Sequence, residues 1–262
     1  MGPRVLKQRI IPKFLVSGGR LVKGVGFHGN MRPAGNPVST ARVYDAYGTD
    51  ELMFLDIDAT PECRPASGSV IERVSEEVFM PFTVGGGIRT LAHIESLLRS
   101  GADKVSINTA AVDDPSFVRE AAARFGNQCI VVGIDYRIDP NGTRRVVSGC
   151  GRNETDMDPL EWALRVQDLH AGEIVLCSID RDGSMCGYDL ELLAEASSLL
   201  DIPVIASSGA GSLHDCAEAL RCGVSAITVS SMFLFSDHSP IKLRTYLASN
   251  GFAVRSQQGG HS

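Results

Sequence analysis

Read for polarity alone, the chain is a series of eight short apolar runs separated by amphipathic stretches. The runs are Arg9 to Val16, Glu51 to Ile57, Phe79 to Val84, Lys104 to Ile107, Cys129 to Asp135, Glu173 to Ile179, Ile202 to Ala206 and Ala226 to Ser230. Continuous Ile, Val and Leu over so few residues is the pattern of strands buried on both faces. The windows 65–78, 91–100, 115–125, 159–170, 190–200, 213–222 and 241–250 repeat apolar residues at helical spacing, several with proline in the first turn or glycine past the end. Residues 39–47 fill the same place after the first run. Strand and helix in strict alternation predict a parallel sheet, and eight strands close it into an α/β (β/α)8 TIM barrel. The expected layout is an N-terminal extension at 1–8, one barrel domain at 9–250 and a flexible tail at 251–262, where apolar patterning stops.

The pattern also repeats. Glu51-Leu52-Met53-Phe54-Leu55-Asp56-Ile57-Asp58 is answered 122 positions on by Glu173-Ile174-Val175-Leu176-Cys177-Ser178-Ile179-Asp180, and Ile10 to Val16 is answered by Ile130 to Tyr136. The glycine run Gly85-Gly86-Gly87 has its echo in Ser208-Gly209-Ala210-Gly211. Gly86 lies 22 positions before Asn108, and Gly209 lies 22 before Ser231. A half-unit has been duplicated. Glycines after an apolar run let the backbone approach an anion, although a glycine run is also an ordinary turn. Read as cradles, they give two phosphate sites: Gly86, Gly87, Asn108 and Thr109 in one half, and Gly209, Gly211, Ser230 and Ser231 in the other.

Two connections, 24–37 and 139–158, are longer than turns require and leave the C-terminal ends of the first and fifth runs. In a barrel that end carries the chemistry, so each is a candidate lid, or else a tolerated surface insertion. Acids collect at the same end: Asp56, Asp58, Asp135, Asp180 and Asp182. Asp135 and Asp182 are the candidate catalytic carboxylates: Asp135 closes an apolar run and reads as a general acid or base, and Asp182 is either a second such group or a turn residue. At the opposite ends Arg9, Glu51, Lys104 and Glu173 each head a run. They are either exposed strand starts or a salt-bridged ring pointing into the barrel.

Composition narrows the partners. A net charge of −6 argues against nucleic acid or an anionic membrane surface as the main partner. No apolar stretch reaches the roughly 20 residues of a membrane span, and the N-terminus carries no signal-like apolar segment, so a cytoplasmic protein is expected. Seven cysteines, none at C-x-x-C spacing, suggest neither a disulfide framework nor a metal site, and no cofactor is expected.

From Arg9 to about Arg255 the chain resembles the cyclase subunit of imidazole glycerol phosphate synthase. The resemblance rests on Arg9-Ile10-Ile11-Pro12, Gly19-Arg20-Leu21-Val22-Lys23-Gly24, Asp50-Glu51-Leu52, Phe54-Leu55-Asp56-Ile57, Thr83-Val84-Gly85-Gly86-Gly87-Ile88-Arg89, Gly101 to Asn108, and Ser178-Ile179-Asp180-Arg181-Asp182-Gly183. It implies a lyase or cyclase-type amidotransferase subunit whose substrate carries a phosphate at each end, with Lys23 among the substrate-binding residues. It also implies a glutaminase on the N-terminal face of the barrel and ammonia passing through the core, with Arg9, Glu51, Lys104 and Glu173 as the charged gate. The family works with two aspartates, and Asp135 matches the second. The first is absent, because the family's Cys-Leu-Asp-Val is Lys13-Phe14-Leu15-Val16 here, and Leu15 is also the repeat partner of Asp135. Ser208, Pro33, Asn36 and Asp156 are further departures near the same end. Bacterial relatives encoded with surface-polysaccharide genes carry that Leu and the Leu55 to Ala59 form. The expectation is therefore that this barrel hands ammonia to a separate sugar-modifying enzyme. The alternatives are the histidine-pathway cyclase itself and a non-catalytic conduit that activates a glutaminase.

Overall fold

The computed structural model describes residues 7–255. In chain order its strands are β1 (Arg9–Ser17), β2 (Arg20–Val25), β3 (Gly29–Gly35), β4 (Leu52–Asp56), β5 (Phe82–Gly85), β6 (Lys104–Ile107), β7 (Ile130–Ile138), β8 (Arg144–Ser148), β9 (Asn153–Glu154), β10 (Glu173–Ser178), β11 (Val204–Ser207) and β12 (Ala226–Val229). Eight of them, β1, β4, β5, β6, β7, β10, β11 and β12, pair in parallel, and the pairings of β12 with β1 and β7 with β10 close the circle. This is a (β/α)8 barrel. Alternation along β1 shows how the runs are divided. Ile10, Phe14 and Val16 pack outward in one core with helix residues such as Ala41 and Tyr44. Ile11 packs in a second, inner core with Met53, Val131, Val175, Ile205 and Ala226.

The two long connections are hairpins rather than loops. β2 runs antiparallel to β1 with Leu15 opposite Val22, and β8 runs antiparallel to β7 with Asp135 opposite Val147. The reason lies in β1 and β7, each nine residues long against four to six in the other barrel strands. Their ends project past the rim and offer unpaired backbone groups that a returning strand satisfies. Each hairpin then meets a helix capped in the same way. Asn36 accepts from Val38 and Ser39 ahead of Pro37–Ala46, and Asp158 accepts from Leu160 and Glu161 ahead of Pro159–Asp168.

Other boundaries moved for local reasons. The expected strand at Phe79 begins at Phe82, because Phe79 is solvent-exposed and Pro81 has no N–H for a ladder. The expected helix 65–78 is shortened to Gly68–Ser75. Two five-residue helices, Thr109–Asp113 and Ser231–Phe235, are too short for a periodic pattern to mark. Part of the expected flexible tail is held to the barrel: Gln8 donates its N–H to Ala253 at 2.8 Å and bridges Val254, while Phe252 packs on the outer core. The rest of that tail, 256–262, and most of the expected extension lie outside the described residues.

The register also corrects the repeat. Thr83 pairs with Lys104 in the first half and Ile205 with Ala226 in the second, both 122 positions on. Asn108 and Ser230 share one backbone conformation, φ −130, ψ −84 against φ −133, ψ −81. Gly86 is therefore answered by Ser208, Gly87 by Gly209 and Asn108 by Ser230, one position away from the alignment that the glycines alone suggest.

Candidate active site

At the C-terminal end of the barrel lies a cavity of about 450 Å³, lined by Leu15, Gly86, Gly87, Asn108, Thr109, Asp135, Cys177 and Asp182 among others. Asp135 reaches it from the outer part of β7, beyond the inner apolar layer, and accepts a hydrogen bond from Asn108 Nδ2 at 2.7 Å. Burial pushes its carboxyl up to about 7, against the opposing field of Lys13. A carboxyl with that pKa is present in both forms near neutrality, which suits it to take and return a proton.

Asp182 has the opposite character. It sits in the turn after β10, with Lys13 Nζ 3.2 Å from Oδ1, Lys23 Nζ 2.5 Å from Oδ2, and Ser208 Oγ donating to Oδ1 at 3.0 Å. Burial would raise it, but the two ammoniums outweigh burial and hold it down at about 2. Asp182 is thus ionised across the neutral range, within which Asp135 changes its charge. The two lysines split in response. Burial disfavours both charges, yet Asp182 carries Lys13 above the ordinary lysine value, while Lys23 stays below it. Burial also lifts the Cys177 thiol to about 11, which keeps it protonated.

The first-half cradle comes together as expected: Gly86, Gly87, Asn108 and Thr109 all face the cavity. Its glycines have a second reason to be there. Their φ values are +119 and +65, and a Cβ would strike the carbonyls of Asp56 and Arg64. Gly87 donates its N–H to Thr60 Oγ1 at 3.1 Å. The second-half cleft is lined by Lys13, Lys23, Asp182, Ser208, Gly209, Ser230 and Ser231. Gly211 is not among them; its N–H turns away to Asp215, and its bare Cα serves close approach to Met185.

At the other end of the barrel the charged strand starts form a closed ring. Arg9 Nη1 lies 2.8 Å from Glu51 and 3.1 Å from Glu173, and Lys104 Nζ lies 3.0 Å from each. Thr83 Oγ1 adds a hydrogen bond to Glu51 at 2.6 Å. The ring supersedes the exposed-strand-start alternative. Between it and the cavity stands the inner apolar layer of Ile11, Met53, Val131, Val175, Ile205 and Ala226.

Thr60 and Ser207 carry no sequence-based assignment, whereas Lys13, a sequence candidate to stand in for the carboxyl missing at Leu15, places its ammonium 3.0 Å from Ser207 Oγ. Lys13 had a signal. It is the single charge inside the run from Ile10 to Val16, at the same parity as Arg9, Ile11 and Leu15. Thr60 and Ser207 carry none, because hydroxyl residues at strand ends are common.

A closed barrel with its cavity, titratable carboxyl and glycine cradle at the C-terminal ends of the strands defines a (β/α)8 barrel of the kind that houses an enzyme site. Residues 9–239 match the family model described as "Histidine biosynthesis protein". The chain is 48% identical over 250 residues to "Imidazole glycerol phosphate synthase subunit HisF" of Streptomyces coelicolor, covering 95% of this chain and 99% of that protein. It is 48% identical over 252 residues to the protein of that name from Dehalococcoides mccartyi, covering 96% and 99%, and 46% identical to that from Streptomyces griseus, covering 95% and 99%. The chain belongs to this histidine biosynthesis family. The names of these relatives favour the histidine-pathway alternative over the expected polysaccharide-associated group. Among the described residues no helix is long and apolar enough to cross a membrane.

Proposed function

We propose that this chain is the cyclase-type subunit of an imidazole glycerol phosphate synthase, using ammonia from a partner glutaminase on a phosphorylated small molecule bound in the cavity. The observation that carries the reading is Asp135: a carboxyl poised at about 7, at the floor of a 450 Å³ cavity with a glycine cradle on its rim. The names of the relatives support the substrate class. In this reading the glutaminase docks on the N-terminal face, over the ring of Arg9, Glu51, Lys104 and Glu173. Ammonia then crosses the inner apolar layer, where an uncharged molecule is tolerated and an ion is not. Asp135 moves the protons of addition and ring closure. Asp182 stays ionised and positions Lys13 and Lys23, while the two cradles hold phosphate. No metal or cofactor is called on.

Growth of a histidine auxotroph lacking its own cyclase tests this directly: the chain restores growth and Asp135→Asn does not. Product formation from ammonium salt without the glutaminase separates the cyclase from a passive conduit, which makes none.

One observation favours a second reading. Leu15 stands at the register position of Asp135, lines the cavity and carries no proton. A barrel with one proton carrier fits an ammonia acceptor that needs no second acid, with a third, nucleotide-sugar-modifying enzyme receiving the ammonia. Failure of wild-type complementation, with rescue by Leu15→Asp, selects this reading.

A further inference from the structure

The second-half cleft holds an unbalanced set of charges. Lys13 and Lys23 are both buried, and within contact distance they share a single carboxylate, Asp182. The next carboxyl, Asp135, acts on Lys13 only through space, and the neighbouring Cys177 thiol is protonated. Two desolvated ammoniums on one carboxylate leave excess positive charge that an anion would neutralise. A second observation points the same way. The Ser230 hydroxyl is buried in this cleft and finds no hydrogen-bond partner among the described residues.

Yet the cleft has room for little. Its free volume is about 10 Å³, roughly that of one water. Ser208 takes part of the space. It occupies the place of Gly86, at φ +78, and its hydroxyl is turned onto Asp182 and Cys177. The Lys23–Asp182 pair takes the rest. Lys23 rides on the lid strand β2, and that lid is fastened to the same turn: Gly26 donates its N–H to the Asp182 carbonyl at 2.8 Å. The first half differs at each of these points. By register, Lys23 and Asp182 correspond to Ser148 and Thr60, which are neutral, and Gly86 has no side chain.

We propose that Asp182 competes with the anionic end of the substrate for Lys23, so that the second-half cradle is the weaker of two phosphate sites and its strength is set by Asp182 and Ser208. The first-half cradle fills first. A phosphate enters the second only as Lys23 leaves Asp182 Oδ2 for the ligand, and the lid strand moves with it. Asp182 keeps Lys13 and Ser208 on its other oxygen. This rests on the phosphate-binding reading given above and extends it.

The test is a titration of the full chain with inorganic phosphate, followed by backbone amide NMR shifts at Gly87 and Thr109 and, separately, at Gly209 and Ser231. In the wild type the first pair should saturate at a phosphate concentration at least ~10-fold below the second, the scale of one hydrogen bond to a charged group. Asp182→Asn frees Lys23 and Ser208→Gly frees space, so each should tighten the second site by about tenfold, leaving the first within about twofold. Lys23→Met should abolish the second site alone. Circular dichroism checks that Asp182→Asn folds with two buried lysines; if it does not, Ser208→Gly and Lys23→Met decide the matter. Equal saturation of both sites in the wild type, or variants that leave or weaken the second site, would overturn the proposal while sparing the phosphate reading. No shift at either cradle in any variant overturns both.

Discussion

Leu15 and Asp135 stand at one register in the two halves of the barrel. Leu15 lies between Val22 on the lid and Leu55 on the next strand, and Asp135 lies between Val147 and Cys177. The same backbone thus presents a methyl group on one side of the cavity and a titrating carboxyl on the other. Around them the polarity is reversed. The acid half-site carries a neutral cradle, Gly86 with Thr60, while the second cradle is built from Ser208, Asp182 and two lysines. The repeated frame fixes where side chains point, and the residues within it differ in chemistry: a carboxyl near 7 at Asp135, a fixed charge at Asp182 and an apolar surface at Leu15.

The largest effect should come from removing the acid side of this pair. Asp135→Asn should lower ammonia-dependent turnover by ~10²- to 10⁴-fold, the usual worth of a general acid or base, with KM little changed. The same variant has a signature in stability. A carboxyl raised from 3.8 to about 7 favours the folded state only while protonated. That contribution is complete below pH 3.8 and lost as pH rises through 7. Asp135→Asn should therefore melt several degrees above the wild type at pH 8, a gap that narrows as pH falls toward 4. An equal gap at both pH values would show that the carboxyl is not raised.

Restoring symmetry is the next test. Leu15→Asp places a carboxyl beside apolar Leu55 and should cost roughly 1.5 to 3 kcal/mol of stability, the burial worth of a leucine side chain, read by denaturant unfolding. If proton transfer limits the wild type, ammonia-dependent turnover should rise with it.

A smaller effect is expected from Lys104→Ala at the ring. Glu51 keeps Arg9 and Thr83, so the loss should stay near ~1 to 2 kcal/mol, below the 3 to 5 typical of a fully stranded buried charge. Its signature is functional: the ratio of glutamine hydrolysed to product formed should rise when a glutaminase supplies the ammonia. An unchanged ratio removes the ring from ammonia passage.

The smallest change concerns Ser208→Gly. Relief of the φ +78 backbone is worth ~1 kcal/mol and offsets the lost hydrogen bond to Asp182. Thermal stability should stay within about 1 kcal/mol while anion binding in the second cradle changes.

Eight strands and their order were legible in the sequence, because each buries side chains on both faces and so carries an unbroken apolar run. The charged ring was half legible. Arg9, Glu51, Lys104 and Glu173 could be seen to head their runs, but only closure of the barrel brings four strand starts to one point, where each cation touches both carboxylates. The lids read as loops because their strands pair with the overhanging ends of β1 and β7 and need no apolar periodicity of their own.

The sequence by itself determined the barrel, its internal repeat, the position of Asp135 and the leucine that answers it at Leu15, since these follow from local pattern and from one half read against the other. The tertiary structure decided what each charged group is. Asp135 and Asp182 are the same residue type at neighbouring strand ends, yet one titrates near 7 and the other near 2. The difference comes from Lys13 and Lys23, which stand 169 and 159 positions before Asp182. Burial and through-space charge set a pKa, and neither is a property of a residue's neighbours along the chain.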